Sequence, residues 1–250
     1  MGWLNRLHLK TSKATPDVDM LKLLRKHSWN LALVAIFVLL LVFTRTIQPN
    51  YGASGFESLA RAALPFAFAT AGQAVVIIAG GIDLSVASMM SVASVTAAVM
   101  MEGASETQGI FVVMFVLLIG VAMGAINGML IVFSRVPDIV VTLAMLFVWE
   151  GVALMILKAP GGGAAEWLKA SIIGSVDVPN IPETYSQWVP KSLVLLVLML
   201  GIVWWPLRRS RFGLSLYAIG SSGLAAFRSG VEVNRTKIAA YAITGLFAAM

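Results

Sequence analysis

GGIDLSVAS, Gly80–Ser88, separates two apolar runs with no loop of ordinary length between them. Either Gly80 or Gly81 can take the left-handed conformation that closes a helix, and Asp83 can cap the next helix by accepting backbone N–H bonds. Two readings follow. In one, the stretch is a tight turn at the cytoplasmic surface with Asp83 as a plain N-cap. In the other, the turn lies inside a helical bundle and borders a polar path, because irregular backbone at membrane depth is tolerated only where protein buries it or a cavity receives it.

The surrounding sequence sets the class. Of 250 residues, 59% are hydrophobic and 12% charged, where soluble domains carry about 25% charged residues. A bilayer core of roughly 30 Å needs about 20 apolar residues per helix. On that measure spans are expected at Trp29–Ile47, Leu59–Ile78, Leu84–Met101, Ile110–Phe133, Ile139–Leu157 and Trp188–Trp205, with a seventh starting at Ile238. The fold expected is an all-α polytopic membrane bundle. A polar tail over residues 1–28 precedes it, and the apolar run that follows has no small-residue cleavage site, so it reads as a retained anchor. The run from Ile238 to Met250 is short for a span, which suggests a chain cut inside its seventh helix.

The net charge of +6 does not point to nucleic acid, since the basic residues lie between apolar runs and not on one soluble face. Cysteine is absent, and the two histidines, His8 and His27, both fall in the tail. Thiol chemistry and thiolate metal sites are thereby excluded, and a catalytic triad would have to draw on that tail. No phosphate-binding loop of the GxxxxGK[ST] type occurs, so any ATP used is bound by another subunit.

Basic residues also give an orientation, because cytoplasmic loops carry the excess of Lys and Arg. With the N-terminus inside, Arg6, Lys10, Lys13, Lys22, Arg25, Lys26, Arg135, Arg208, Arg209, Arg211, Arg228, Arg235 and Lys237 face the cytoplasm, against Arg45, Arg61, Lys158, Lys169 and Lys191 outside. The segment Lys158–Pro190 then faces out and Pro206–Thr236 faces in. Within the latter, Leu224, Ala225, Phe227 and Arg228 form an expected short amphipathic helix after the Gly220–Gly223 turn, stopped by Gly230. Its apolar face can rest on the membrane surface or on a partner. In the third span Ala87, Ser88, Ser91, Ser94 and Ala98 make a ladder of small residues suited to close helix packing.

Four stretches in order, GGIDLSVAS, GAINGMLIV (Gly124–Val132), VPDIVVTLAML (Val136–Leu146) and YAIGSSGLAAFRSGV (Tyr217–Val231), closely resemble the ribose-type membrane permeases of ABC importers. The resemblance extends over most of the chain. It implies about ten helices in a complete protein, transport of a monosaccharide or similar small polar solute by alternating access, and no bond-making chemistry or cofactor. It also implies partners: an ATP-binding subunit, a periplasmic solute-binding protein and a second permease subunit, equal or different, in a bacterial inner membrane. By the same resemblance the segment from Gly220 through Leu224, Ala225, Phe227, Arg228 and Gly230 docks on the ATP-binding subunit. The chain departs from the family pattern at Ala87, at Asp138 where an apolar residue is usual, at Glu150 where Arg often stands, and at Gly220–Ser222.

Candidates for the path are Asp83, Ser85, Gln73, Asn127 and Glu150. Glu150 is an ionisable group well inside the fifth span, which by default is a functional candidate; its alternative is a carboxylate that reaches the interface or pairs with a neighbour. Asn127 and Gln73 either touch solute or hydrogen-bond between helices. A secondary transporter with Glu150 or Asp83 as ion relay, a permease for branched-chain amino acids or nucleosides, and a membrane-embedded enzyme are the competing functions.

Overall fold

The computed structural model describes residues 27–157, 161–177 and 182–250. His8, the six basic residues of the tail and Lys158 lie outside that set. The chain divides into two compact units, one ending at Tyr51 and one running from Gly52 to Met250. In the first, α1 (Ser28–Ile47) is apolar on every side and buries none of its residues. The second contains α2 (Ala53–Ile78), α3 (Val86–Met101), α4 (Glu106–Ser134), α5 (Asp138–Ile156), α6 (Glu166–Ile172), α7 (Glu183–Ser186), α8 (Lys191–Arg209), α9 (Arg211–Ser221), α10 (Gly223–Arg228) and α11 (Val233–Ala248).

Among the described residues five helices, α1, α2, α4, α5 and α8, are long and apolar enough to cross a membrane. The third expected span is shorter: α3 has 16 residues, roughly 24 Å at 1.5 Å per residue. It starts after the glycine turn and not at Leu84, so the break takes up part of the bundle's depth. Several boundaries also move. α2 begins at Ala53, well before Leu59, and continues through Pro65. α8 runs from Lys191 to Arg209 through Pro206, where the end was expected at Trp205. The seventh apolar helix begins at Val233, not Ile238, because Asn234, Arg235 and Lys237 form its polar first turn.

Local chemistry explains the starts and stops. α4 opens with a capping box in which Ser105 Oγ accepts from the Gln108 amide and the Ser105 amide donates to Gln108 Oε1 at 2.9 Å. It closes at Arg135 in the left-handed conformation, and Pro137 sets the entry to α5. The expected outer segment folds as α6 and α7, joined to the start of α8 by a bridge between Ser175 and Pro190.

Within the second unit α11 lies between α2 and α4, α3 packs on α4 and α5, and α8 lies against α2. The tightest seam is α4 against α11. Gly120, Gly124 and Gly128 present a groove with the four-residue spacing typical of close membrane-helix contact, and a side chain on any of them would collide with the α11 backbone between Ile238 and Gly245. From the other flank, Thr244 Oγ1 donates to the Gly72 carbonyl of α2 at 2.8 Å. The small-residue ladder of α3 is used only in part. Ser88 is buried, whereas Ala87, Ser91 and Ser94 are exposed, so that face is not closed by close packing against the described residues.

Candidate functional site

The break between α2 and α3 is buried on one side and open on the other. Asp83 is 4% exposed and Ser85 is fully buried, whereas Gly80, Ile82 and Leu84 are exposed, so Asp83 is more than an exposed N-cap. Gly80 takes the left-handed conformation with φ 78°, which ends α2 as the glycine pair suggests. Asp83 does not cap α3 directly: its Oδ1 accepts from the Ser85 amide at 2.9 Å and from Ser85 Oγ at 2.6 Å, just ahead of the helix. The carboxylate reaches back to the residue two positions on, the local bond that Asp makes in turns. Ser85 is the N-cap residue and contributes no side-chain cap.

A chain of polar contacts runs inward from this turn. Ser85 Oγ, while donating to Asp83, accepts from Asn127 Nδ2 at 2.7 Å. Asn127 Oδ1 accepts from Trp149 Nε1 at 3.2 Å, and Asn127 Nδ2 also approaches Met89 Sδ at 3.8 Å. One buried amide thus joins α3, α4 and α5, with each end facing partners of the required kind. Gln73, half-buried on α2, faces the turn backbone: with its amide turned to suit both groups, its nitrogen donates to the Asp83 carbonyl at 3.1 Å and its oxygen accepts from the Asp83 amide at 3.3 Å. Asp83 Oδ2 is buried and has no hydrogen-bond partner among the described residues.

A second set of contacts closes the turn from the side. Tyr241 of α11 donates to Asp138 Oδ2 at 2.8 Å. Thr142 Oγ1 donates to the Asp138 carbonyl at 2.8 Å. Gly81 lies against this pair, and a Cβ at that position would stand 2.6 Å from Asp138 Oδ2 and 2.8 Å from Tyr241 Oη. On the other side Gly220 of α9 packs directly on the Ile78 carbonyl at the end of α2.

Of the candidates, Asp83, Ser85, Asn127 and Gln73 come together in one cluster, whereas Glu150 does not join it. Glu150 lies on an exposed part of α5 beside Phe147 and Leu154. Leu224 and Phe227 of α10 are 63% and 68% exposed, with Gly230 left-handed at the stop. Sequence reasoning missed Tyr241, Trp149 and Thr142, and it read Asp138 only as a departure. The one signal available was that departure: a carboxylate where an apolar residue is usual needs a partner when it is even partly buried.

A family model described as branched-chain amino acid transport system / permease component matches residues 55–250. The chain belongs to this permease family. The permease is also 28% identical over 233 residues to the autoinducer 2 import system permease protein LsrD of Escherichia coli (strain K12), covering 90% of this chain and 67% of that one. The same protein of Shigella flexneri aligns with the same identity and coverage. No solved structure matches the permease. It is an ABC importer permease, a transport subunit, and with its several apolar helices a multi-pass protein of the inner membrane.

Proposed function

We propose that this permease moves a monosaccharide or similar small polar solute by alternating access, driven by ATP hydrolysis on a separate subunit bound to α9 and α10. A periplasmic solute-binding protein delivers the cargo, a second permease subunit completes the path, and the N-terminus lies in the cytoplasm. The observation that carries the reading is the interrupted α2–α3 connection held inside the bundle and tied to Asn127, in a chain matched to the permease family from residue 55 to its end. Broken helices inside membrane bundles are where transporters place polar groups at depth. The buried Asp83, Ser85 and Asn127, with Gln73 on the turn backbone, border the route in this reading. Glu150 borders it from the exposed face of α5, where a carboxylate facing lipid is costly.

The exposed apolar pair of α10 supports docking, since Leu224 and Phe227 point away from the bundle they are attached to. Alternating access then needs each state to be favoured by different contacts, with ATP shifting their populations. Uptake into proteoliposomes holding the permease with its ATP-binding subunit and binding protein tests the proposal. Labelled ribose, autoinducer 2 and leucine serve as solutes. Uptake that requires hydrolysable ATP and favours ribose or autoinducer 2 is expected. Uptake that persists without ATP and collapses with the proton gradient would replace the proposal with ion coupling.

A further inference from the structure

We propose that Asp138 and Tyr241 are positioning residues whose hydrogen bond latches the Gly80–Asp83 turn over the buried polar cluster. The latch rests on the transport reading only in the use to which its opening is put. Its parts come from three places far apart in sequence: the turn itself, the first turn of α5 and the middle of α11. Tyr241 is buried, and its hydroxyl donates to Asp138 Oδ2 at 2.8 Å. Asp138 lies in the first turn of α5, where its carbonyl accepts from Thr142 Oγ1. The backbone of Gly81 lies against the pair, so close that a side chain there would collide with Asp138 Oδ2 and Tyr241 Oη.

Two details tie the pair to the turn and the turn to α9. Tyr241 Oη also lies 3.4 Å from the Ile82 carbonyl, so the hydroxyl that bonds Asp138 on α5 also meets the backbone of the turn itself. The turn is also connected to the segment proposed to receive the ATP-binding subunit, because Gly220 of α9 packs on the Ile78 carbonyl two residues before Gly80. A displacement of α9 therefore bears on the end of α2 and on the turn that Asp138 and Tyr241 hold. Release of the latch lets the turn move away from α5 and α11 and opens the cluster toward the end of the bundle carrying α9 and α10.

None of these 250 residues is cysteine, so one introduced thiol reports its own accessibility within the chain. Ser88→Cys places a reporter one turn into α3, where the native side chain is buried and donates to the Ser85 carbonyl. Thr244→Cys places a second on α11, also buried, three residues beyond Tyr241. N-ethylmaleimide labelling is followed in membrane vesicles containing the full permease. With Tyr241→Phe or Asp138→Ala the S88C thiol reacts about fivefold faster, the population change that follows from one net hydrogen bond lost by the closed state. The T244C thiol keeps its rate, and Asp138→Asn, which retains an acceptor oxygen, keeps the S88C thiol protected.

An S88C rate unchanged by Tyr241→Phe overturns the latch. Equal acceleration of both thiols means that α11 has loosened as a whole and also overturns it, as does Asp138→Asn opening the site as fully as Asp138→Ala. No solute or ATP enters the measurement, so a failed latch leaves the transport reading standing, and a failed uptake assay leaves the latch standing.

Discussion

The second unit contains two short helix breaks that look alike in sequence and are built differently. Gly80–Ser85 separates α2 from α3, and Ser222 separates α9 from α10. At Ser222 the join is local. Its Oγ accepts from the Ala225 amide at 3.3 Å and its carbonyl from the Ala226 amide at 2.9 Å, and the helix it starts is largely exposed. At the first break the local bonds are those of the Gly80 and Gly81 amides to the Ile77 and Val76 carbonyls and those of Ser85 to Asp83 Oδ1. The remaining contacts come from Gln73, Asn127, Thr142 and Tyr241, with Tyr241 bonded in turn to Asp138, 103 residues away in sequence. An exposed turn completes its hydrogen bonds with neighbours and water. Polar groups buried among membrane helices have no water to use, so side chains from other helices supply the partners that local bonds leave over.

If that contrast is right, substitutions at the buried break should cost far more stability than those at the exposed one. The largest effect is expected from Gly81→Leu, which forces a side chain into the space filled by Asp138 and Tyr241. Overpacking of this kind costs about 1–3 kcal/mol or more, and the measurements are the thermal unfolding midpoint in detergent, which should fall, and uptake, which should be lost. Next comes Asn127→Leu, which leaves Ser85 Oγ without its donor and Trp149 Nε1 without an acceptor. Each stranded group costs about 1–3 kcal/mol, so a clear loss of midpoint is expected; an unchanged midpoint would show that the cluster is not what holds the break.

Ser222→Ala sharpens the other side of the comparison. It removes one cap, worth about 1 kcal/mol at most positions, and should lower α10 protection in hydrogen exchange while leaving the global midpoint nearly in place. Smallest of all for stability is Phe227→Asp, since that side chain is exposed. The midpoint of the isolated permease should not move, whereas co-purification with the ATP-binding subunit should fail. Intact assembly with normal solute-stimulated ATPase activity would remove α10 as the docking element. Asp83→Ala belongs beside Asn127→Leu: it should impair uptake, and a fully active variant would reduce Asp83 to a local turn residue.

Much of the architecture was legible beforehand. Apolar runs near bilayer length placed six spans within a few residues at most ends, and the amphipathic stretch after Gly220 located α10. Errors fell where polar and apolar signals overlap. The polar residues of Val233–Lys237 hide a first helical turn, and Pro206 signals an end although α8 continues through it to Arg209. The cluster was legible only in part. Asp83, Ser85 and Asn127 stood out as polar residues within apolar surroundings, but nothing along the chain says that Trp149 would complete Asn127 or that Asp138 would meet Tyr241. Glu150 drew attention by the same rule and turned out to lie on the open side of α5, apart from the rest.

Membrane helices, the glycine pair that ends α2 and the carboxylate that follows it can all be read from the residues alone. Those features depend on composition, residue period and local backbone preference, all of which act over a few residues. It took the packed helices to bury Asp83 and Ser85, to close α4 and α11 on glycine backbones, and to bring Asp138 to Tyr241. Such pairings depend on which helix faces meet, and in a membrane many apolar faces are equivalent until small residues and a few polar partners select among them.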